Sequence, residues 1–187
     1  MIEERIRNVI ESFIRVNYAG EFGAKQIYKN QIKALKSGLE AGVIKDMLSQ
    51  ELEHLEYFRD LAKRFGVRPT VMHPIWRISA STIGFITGKM GMSAVMAATS
   101  GVENVICRHY KEQIVELESI LLSIGCGHKD YEFLFDFKER IKQIMAEERQ
   151  HEEAGYEYNK HESIASKVIF KATGLCSRLA IFISKKI

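Results

Sequence analysis

An all-α fold, an antiparallel bundle of four long helices with further short apolar helices, is what this chain of 187 residues predicts. Three observations carry the expectation. Apolar residues recur at helical spacing through most of the chain, with no sustained strand alternation. Only two prolines interrupt the pattern, Pro69 and Pro74, and they fall close together. Hydrophobic residues make up 46% of the chain, enough for a sizeable core at this length.

The first helix is expected from about Glu3 to Lys36, with the inner stripe Ile14, Asn17, Glu21, Ala24, Tyr28, Ile32 and Leu35. A turn containing Gly38 and Gly42 leads to a second helix, with the stripe Met47, Glu51, His54, Phe58, Leu61 and Phe65. The opposite face of that helix carries Glu53, Glu56, Asp60 and Lys63, as solvent demands. The two prolines mark a crossover, from which a short apolar helix runs over roughly Ile75 to Thr87. A long helix from about Met90 to Leu122 follows, with the stripe Met92, Met96, Thr99, Glu103, Ile106 and Tyr110. It ends near Gly125 and Gly127, and the next helix presents Phe137, Ile141, Ile144, Glu148, His151 and Gly155. The chain reads as one domain over 1–187, with an apolar crossover over about 66–90 and a basic amphipathic segment over about 161–187.

Four of these stripes contain residues that do not belong in an apolar interior. Two Glu-x-x-His pairs, Glu51/His54 and Glu148/His151, and two lone acids, Glu21 and Glu103, all point to the predicted core. Burying an ionised carboxylate costs several kcal/mol unless it is paired or bound to a metal. With 24 acids and six histidines, one such pair would be an ordinary charged helix face; two, each preceded by an inward Glu, are better explained as metal ligands. Four Glu and two His on four helices form the ligand set of a dinuclear carboxylate bundle, with hard oxygen and borderline nitrogen donors that suit Fe(II), Mn(II) or Zn(II). Six ligands shared between two metals leave coordination positions open, which a closed structural site does not. Distance from the turns agrees: Glu103 lies 22 residues before Gly125 and Glu148 lies 21 after Gly127. In the first hairpin Glu21 lies 17 before Gly38 and His54 lies 12 after Gly42, about a turn out of step.

The remaining polar residues read as ordinary surface. Glu53, Glu56, Glu147, Glu152 and Glu153 are expected on a solvated face, with room for one to support a ligand histidine from behind. His73, His109, His128 and His161 are expected at the surface or in loops, and Met92 and Met96 as packing. Cys107, Cys126 and Cys176 have no metal or disulfide spacing, which suggests a reducing compartment. The start, with Glu3 and Glu4, resembles neither a signal peptide nor a mitochondrial presequence. No phosphate-binding glycine loop follows a strand, so electrons must come from a partner, a diffusing reductant or the substrate.

Charge sums to +3 but is unevenly placed. No acid occurs between Gly66 and Val102, and from Lys160 onward six Lys/Arg face one Glu. Both regions are apolar as well as basic, which points to an anionic lipid surface rather than to nucleic acid. Neither is long enough to span a bilayer, so attachment to one face is expected.

Several segments then carry a specific resemblance: Arg15-Val-Asn-Tyr-Ala-Gly-Glu21-Phe-Gly-Ala24, Glu51-Leu-Glu-His54, Gly101-Val-Glu103-Asn, His109-Tyr110 with Gln113-Ile114, and Glu147-Glu148-Arg-Gln-His151. Through them nearly the whole chain resembles the demethoxyubiquinone hydroxylases of the Coq7/Clk-1 type, in the ferritin-like di-iron carboxylate superfamily. The connection around Ser123 to Phe135 looks longer than is usual there. The resemblance implies a ferritin-like bundle with membrane-associating helices. It implies two iron ions held by Glu21, Glu51, His54, Glu103, Glu148 and His151, with Glu51 and Glu148 bridging. It implies an O2-dependent monooxygenase that hydroxylates the ring of a polyprenyl benzoquinone or its quinol in ubiquinone biosynthesis. Its place would be peripheral, on the cytoplasmic face of a bacterial inner membrane or, for a mature mitochondrial form, on the inner membrane. NADH or the quinol itself would supply electrons, with other ubiquinone-biosynthesis proteins or a second copy as partners. Two other classes share features of the chain: an iron-storage or peroxide-scavenging protein of the ferritin or erythrin kind, and a metal-free lipid-binding scaffold.

Overall fold

The computed structural model describes residues 2–35, 40–158 and 163–186. They form six α-helices: α1 Ile2–Ala34, α2 Glu40–Phe65, α3 His73–Met90, α4 Met92–Ile124, α5 Tyr131–Tyr158 and α6 Ile164–Ser184. The all-α expectation holds, and no strand is present among the described residues.

The four long helices pair as α1 with α2 and α4 with α5, and the two hairpins face each other. Each predicted stripe turns inward: Ile14, Asn17, Glu21, Ala24 and Tyr28 of α1 are buried, as are Phe137, Ile141, Ile144, Glu148 and His151 of α5. Gly38 lies outside the described residues, and Gly42 is not in a turn but inside α2. Measured from the helix ends, the first hairpin is in register after all. Glu21 lies 13 residues before Ala34 and His54 lies 14 after Glu40, so the apparent one-turn mismatch came from taking Gly42 as the turn. The second connection is confined to 125–130, because Ser123, Ile124 and Tyr131 to Phe135 are helical.

The two shorter helices lie outside the bundle, α3 along α1 and α6 along α4. Close backbone approach seats both. A methyl group at Gly84 would overlap the carbonyl of Ile27, and one at Gly101 would overlap that of Phe170, so these crossings need glycine. The Trp76 indole N–H donates to Ser184 Oγ at 3.3 Å and ties α3 to α6.

The apolar run at the start of α4 is core. Met92 and Ala94 to Val102 are buried, so the outward apolar surface belongs to α3 and α6 rather than running through the whole acid-free stretch to Val102. On α3, Ile75, Ile78, Phe85, Ile86 and Met90 are exposed; on α6, Ile164, Val168, Leu175, Leu179 and Phe182 are exposed. No helix among the described residues is long and apolar enough to cross a membrane.

Candidate metal centre

Two apolar layers enclose a polar one. On α2, Met47 and Phe58 belong to different core clusters, and Glu51 and His54 lie between them. The same holds for Ile14 and Ala24 around Glu21 on α1, and for Ile144 and Ala154 around Glu148 and His151 on α5. Helical periodicity thus delivers six polar side chains to one level of the bundle. All six are buried, none more than 3% exposed.

Their ligating atoms form two groups, Glu21, Glu51, His54 and Glu148, and Glu51, Glu103, Glu148 and His151. Within each group the atoms lie within 4.8 Å of one another. Glu51 and Glu148 belong to both, which is where bridging carboxylates would stand. His54 Nδ1 lies 2.9 Å from Glu148 Oε1 and 3.7 Å from Glu21 Oε2. His151 Nδ1 lies 3.2 Å from Glu148 Oε2 and 3.4 Å from Glu51 Oε1.

Each imidazole turns its other nitrogen outward. His54 Nε2 donates to Glu147 Oε2 at 2.5 Å, and His151 Nε2 donates to Gln50 Oε1 at 2.6 Å. With the proton on Nε2, the Nδ1 lone pair faces the cluster, the orientation a metal-binding histidine needs. The acids are oriented too. Tyr28 donates to Glu103 at 2.9 Å, and Tyr110 donates to Glu21.

The donor set fits cations by two tests. His54 Nδ1, Glu51 Oε1 and Glu148 Oε1 are buried and lack any hydrogen-bond partner; His54 Nδ1 and Glu148 Oε1 are close but out of line. Buried polar atoms normally find partners, so a shared set of orphans at one point marks a place for an ion. The second test is charge. Burial, then the carboxylates of Glu148, Glu21 and Glu103, push Glu51 well above the usual range. Burial and Glu148 do the same to Glu103. Burial also works against an ionised Glu148, but His151 and His54 outweigh it and hold that carboxyl at about 2. Despite burial, Glu148 and Glu21 carry His54 to about 11. Without cations the cluster must therefore hold protons; two divalent ions would balance four carboxylates.

Sequence reasoning placed the six residues and allowed one flanking acid behind a histidine, without saying which; the structure selects Glu147. Glu147, expected on a solvated face, is half-buried against His54, and Glu152 accepts from Asn104 at 2.7 Å. Glu53, Glu56 and Glu153 are exposed as expected. His109, expected at the surface, is buried because it belongs to a polar ladder. Gln113 and Asn17 exchange two hydrogen bonds, at 2.8 and 2.9 Å, and the Gln113 amide also donates to His109 Nε2 at 2.8 Å. His73 is half-buried against Phe22 and Tyr18, and His161 lies outside the described residues. The legible signal was spacing: Tyr28 and Tyr110 each stand seven residues after a lone inward Glu.

Beside this layer, an apolar cleft of about 200 Å³ opens between α1, α3, α4 and α6. Gly20 and Ala24, which flank Glu21, line it, as do Val102 and Ile106, which flank Glu103, with Ile83 and Ala180 opposite.

Fold and site together define a helix-bundle protein whose interior carries a carboxylate–histidine cluster able to hold metal ions. A family profile described as "Ubiquinone biosynthesis protein COQ7" matches residues 8–184. The chain belongs to this COQ7 family. It is 34% identical over 185 residues to the mitochondrial "NADPH-dependent 3-demethoxyubiquinone 3-hydroxylase" of Dictyostelium discoideum, covering 99% of this chain and 81% of the relative. The human protein of the same description is 32% identical over 181 residues, 97% of this chain and 79% of the relative. A bacterial relative, the "3-demethoxyubiquinol 3-hydroxylase" of Rhodospirillum rubrum, is 32% identical over 180 residues, 96% of this chain and 79% of its own length.

Proposed function

We propose that this chain is an O2-dependent hydroxylase of the demethoxyubiquinone or demethoxyubiquinol ring in ubiquinone biosynthesis, working with two iron ions at the Glu/His cluster. The observation that carries the proposal is the pair of buried ligand groups sharing Glu51 and Glu148, in a chain of the COQ7 family. Glu21, Glu51, His54 and Glu148 hold one ion, and Glu51, Glu103, Glu148 and His151 hold the other. Bound there, a pair of ferrous ions supplies the electrons and open coordination positions that dioxygen activation needs.

The chain's own residues do the rest. Tyr110 and Tyr28 hold Glu21 and Glu103 in place by hydrogen bonds from the opposite hairpin. Glu147 and Gln50 fix the two imidazole rings with Nδ1 inward. The apolar layers above and below exclude water, which strengthens every electrostatic interaction within the cluster. The apolar cleft beside Glu21 and Glu103 takes the polyprenylated substrate, burying hydrocarbon while only the ring approaches the cluster. A storage or scavenging protein has no use for such a cleft.

The outward faces of α3 and α6 rest on one face of an anionic bilayer, peripheral to it. Their exposed apolar side chains enter the interface, and Arg77, Lys89, Lys167, Lys171 and Arg178 meet the headgroups. Such a bilayer is the source of the substrate.

The test mixes anaerobically reduced, iron-loaded protein with demethoxyubiquinol and oxygen, then looks for the hydroxylated ring by mass spectrometry. The hydroxylated quinone is expected from the wild type and absent from Glu103→Ala. Unmodified substrate from fully loaded wild type would overturn the proposal.

A further inference from the structure

The cluster repeats one pattern in both hairpins. Glu21 and Tyr28 on α1 match Glu103 and Tyr110 on α4; Glu51 and His54 on α2 match Glu148 and His151 on α5. Each tyrosine crosses to the glutamate of the other hairpin. The histidines obey the same exchange: the partner of each Nε2 is the residue immediately before the glutamate of the opposite pair. At that one place the two halves differ in chemistry, because His54 donates to the carboxylate of Glu147 and His151 to the amide oxygen of Gln50.

We propose that Glu147 makes the two metal positions unequal, so that the position formed by Glu21 and His54 fills first and holds its ion more tightly than the one formed by Glu103 and His151. The inference rests on reading the six residues as ligands. Both outer hydrogen bonds orient a ring, at nearly the same length, 2.5 and 2.6 Å, and both acceptors are half-buried. Orientation is therefore common to the two sides, and charge is what differs. A carboxylate accepting the Nε2 proton draws it outward and leaves Nδ1 a stronger donor; a neutral amide does so less. Glu147 also adds a negative charge behind one ion, reduced by water because a third of its side chain, 34%, is exposed. The two effects have the same sign. Glu147 thus acts through His54 as a positioning and tuning residue.

The experiment titrates Co(II) anaerobically into the metal-free full chain, following visible absorption and heat. At one Co(II) per chain, the shifted imidazole N–H resonance in proton NMR identifies the occupied histidine. Repulsion between two ions would produce unequal steps even at identical positions, so filling order is the deciding readout. In the wild type the first ion is expected at His54. Glu147→Gln keeps an acceptor but removes the charge and weakens that step by about 10-fold, the low end of the range for altering an outer partner, and both histidines then show shifted resonances. Gln50→Glu added to Glu147→Gln moves the first ion to His151, which a merely structural role would not do. Gln50→Glu alone levels the positions from the other side and serves if Glu147→Gln does not fold. Two ions bound in an order unchanged across these variants would overturn the proposal and leave the metal centre standing. No Co(II) bound by folded wild type would overturn both.

Discussion

Tyr110 on α4 donates its phenolic hydrogen to the carboxylate of Glu21 on α1, linking the two hairpins at the level of the cluster. Tyr28 returns the bond from α1 to Glu103 on α4. Both rings are nearly inaccessible, at 2% and 1% exposure, so neither acid can replace its partner with water. Tyr110→Phe should lower the unfolding free energy of the metal-free protein by about 1–3 kcal/mol, the usual cost of orphaning a buried group. It should also weaken the metal position that uses Glu21 more than the one that uses Glu103, and Tyr28→Phe should do the reverse. Denaturant unfolding and metal titration of the two variants test both statements.

His109 gives a stability signature in a defined pH window. Burial, with a smaller contribution from Lys185, lowers it from 6.5 to about 4, and its Nε2 accepts from Gln113. Glu112 faces it at 3.8 Å. Its folded value lies below its unfolded one, so its contribution is fully present above about pH 6.5 and declines as pH falls toward 4. At about 1.4 kcal/mol per pH unit the loss is roughly 3 kcal/mol. His109→Gln should show a shallower decline over this window, measured as the difference in unfolding free energy between wild type and variant.

The cleft makes a prediction separate from the metals. Ala180 lines it across from Val102 and Ile106. Ala180→Phe should fill the space and lower kcat/KM for a long-tailed quinol by about tenfold or more, equivalent to about 1.4 kcal/mol. Metal content should be unchanged. Steady-state turnover beside metal analysis of the same preparation checks this.

The bilayer face is tested by flotation with vesicles containing anionic lipid. Phe85 and Phe182 are 51% and 57% exposed on α3 and α6. Replacing both with Ser should weaken association, while moderate salt should weaken the wild type only partly, because apolar burial is not screened. Wild-type protein that fails to float, or a double variant that floats equally well, would count against this surface.

Helical periodicity made the bundle and its six inward ligand candidates legible, because charged residues on an apolar stripe carry a cost that few arrangements relieve. Glu21 and His54 sit at the depth their stripes imply. That one of five flanking acids could back a histidine was legible, but not which: Glu147 adjoins a ligand candidate and faces partly outward, and only the opposing helix reveals its partner His54. His109 was hidden for a related reason. Its burial depends on Gln113 and Asn17, and Asn17 is 92 residues away on another helix. The apolar runs of α3 and early α4 have similar composition, yet one faces outward and the other inward. Composition cannot separate those cases; packing against α1 and α5 does.

Anaerobic titration of the metal-free chain with Fe(II), with bound iron counted by 57Fe Mössbauer spectroscopy, tests the central claim most directly. Wild type should saturate at two ions per chain, following from two ligand groups that share Glu51 and Glu148. Glu103→Ala and His151→Ala should each lose binding at one position, while Glu53→Ala, on the exposed face, should match the wild type. Full two-iron occupancy in both ligand variants, or no saturable binding by folded wild type, would contradict it.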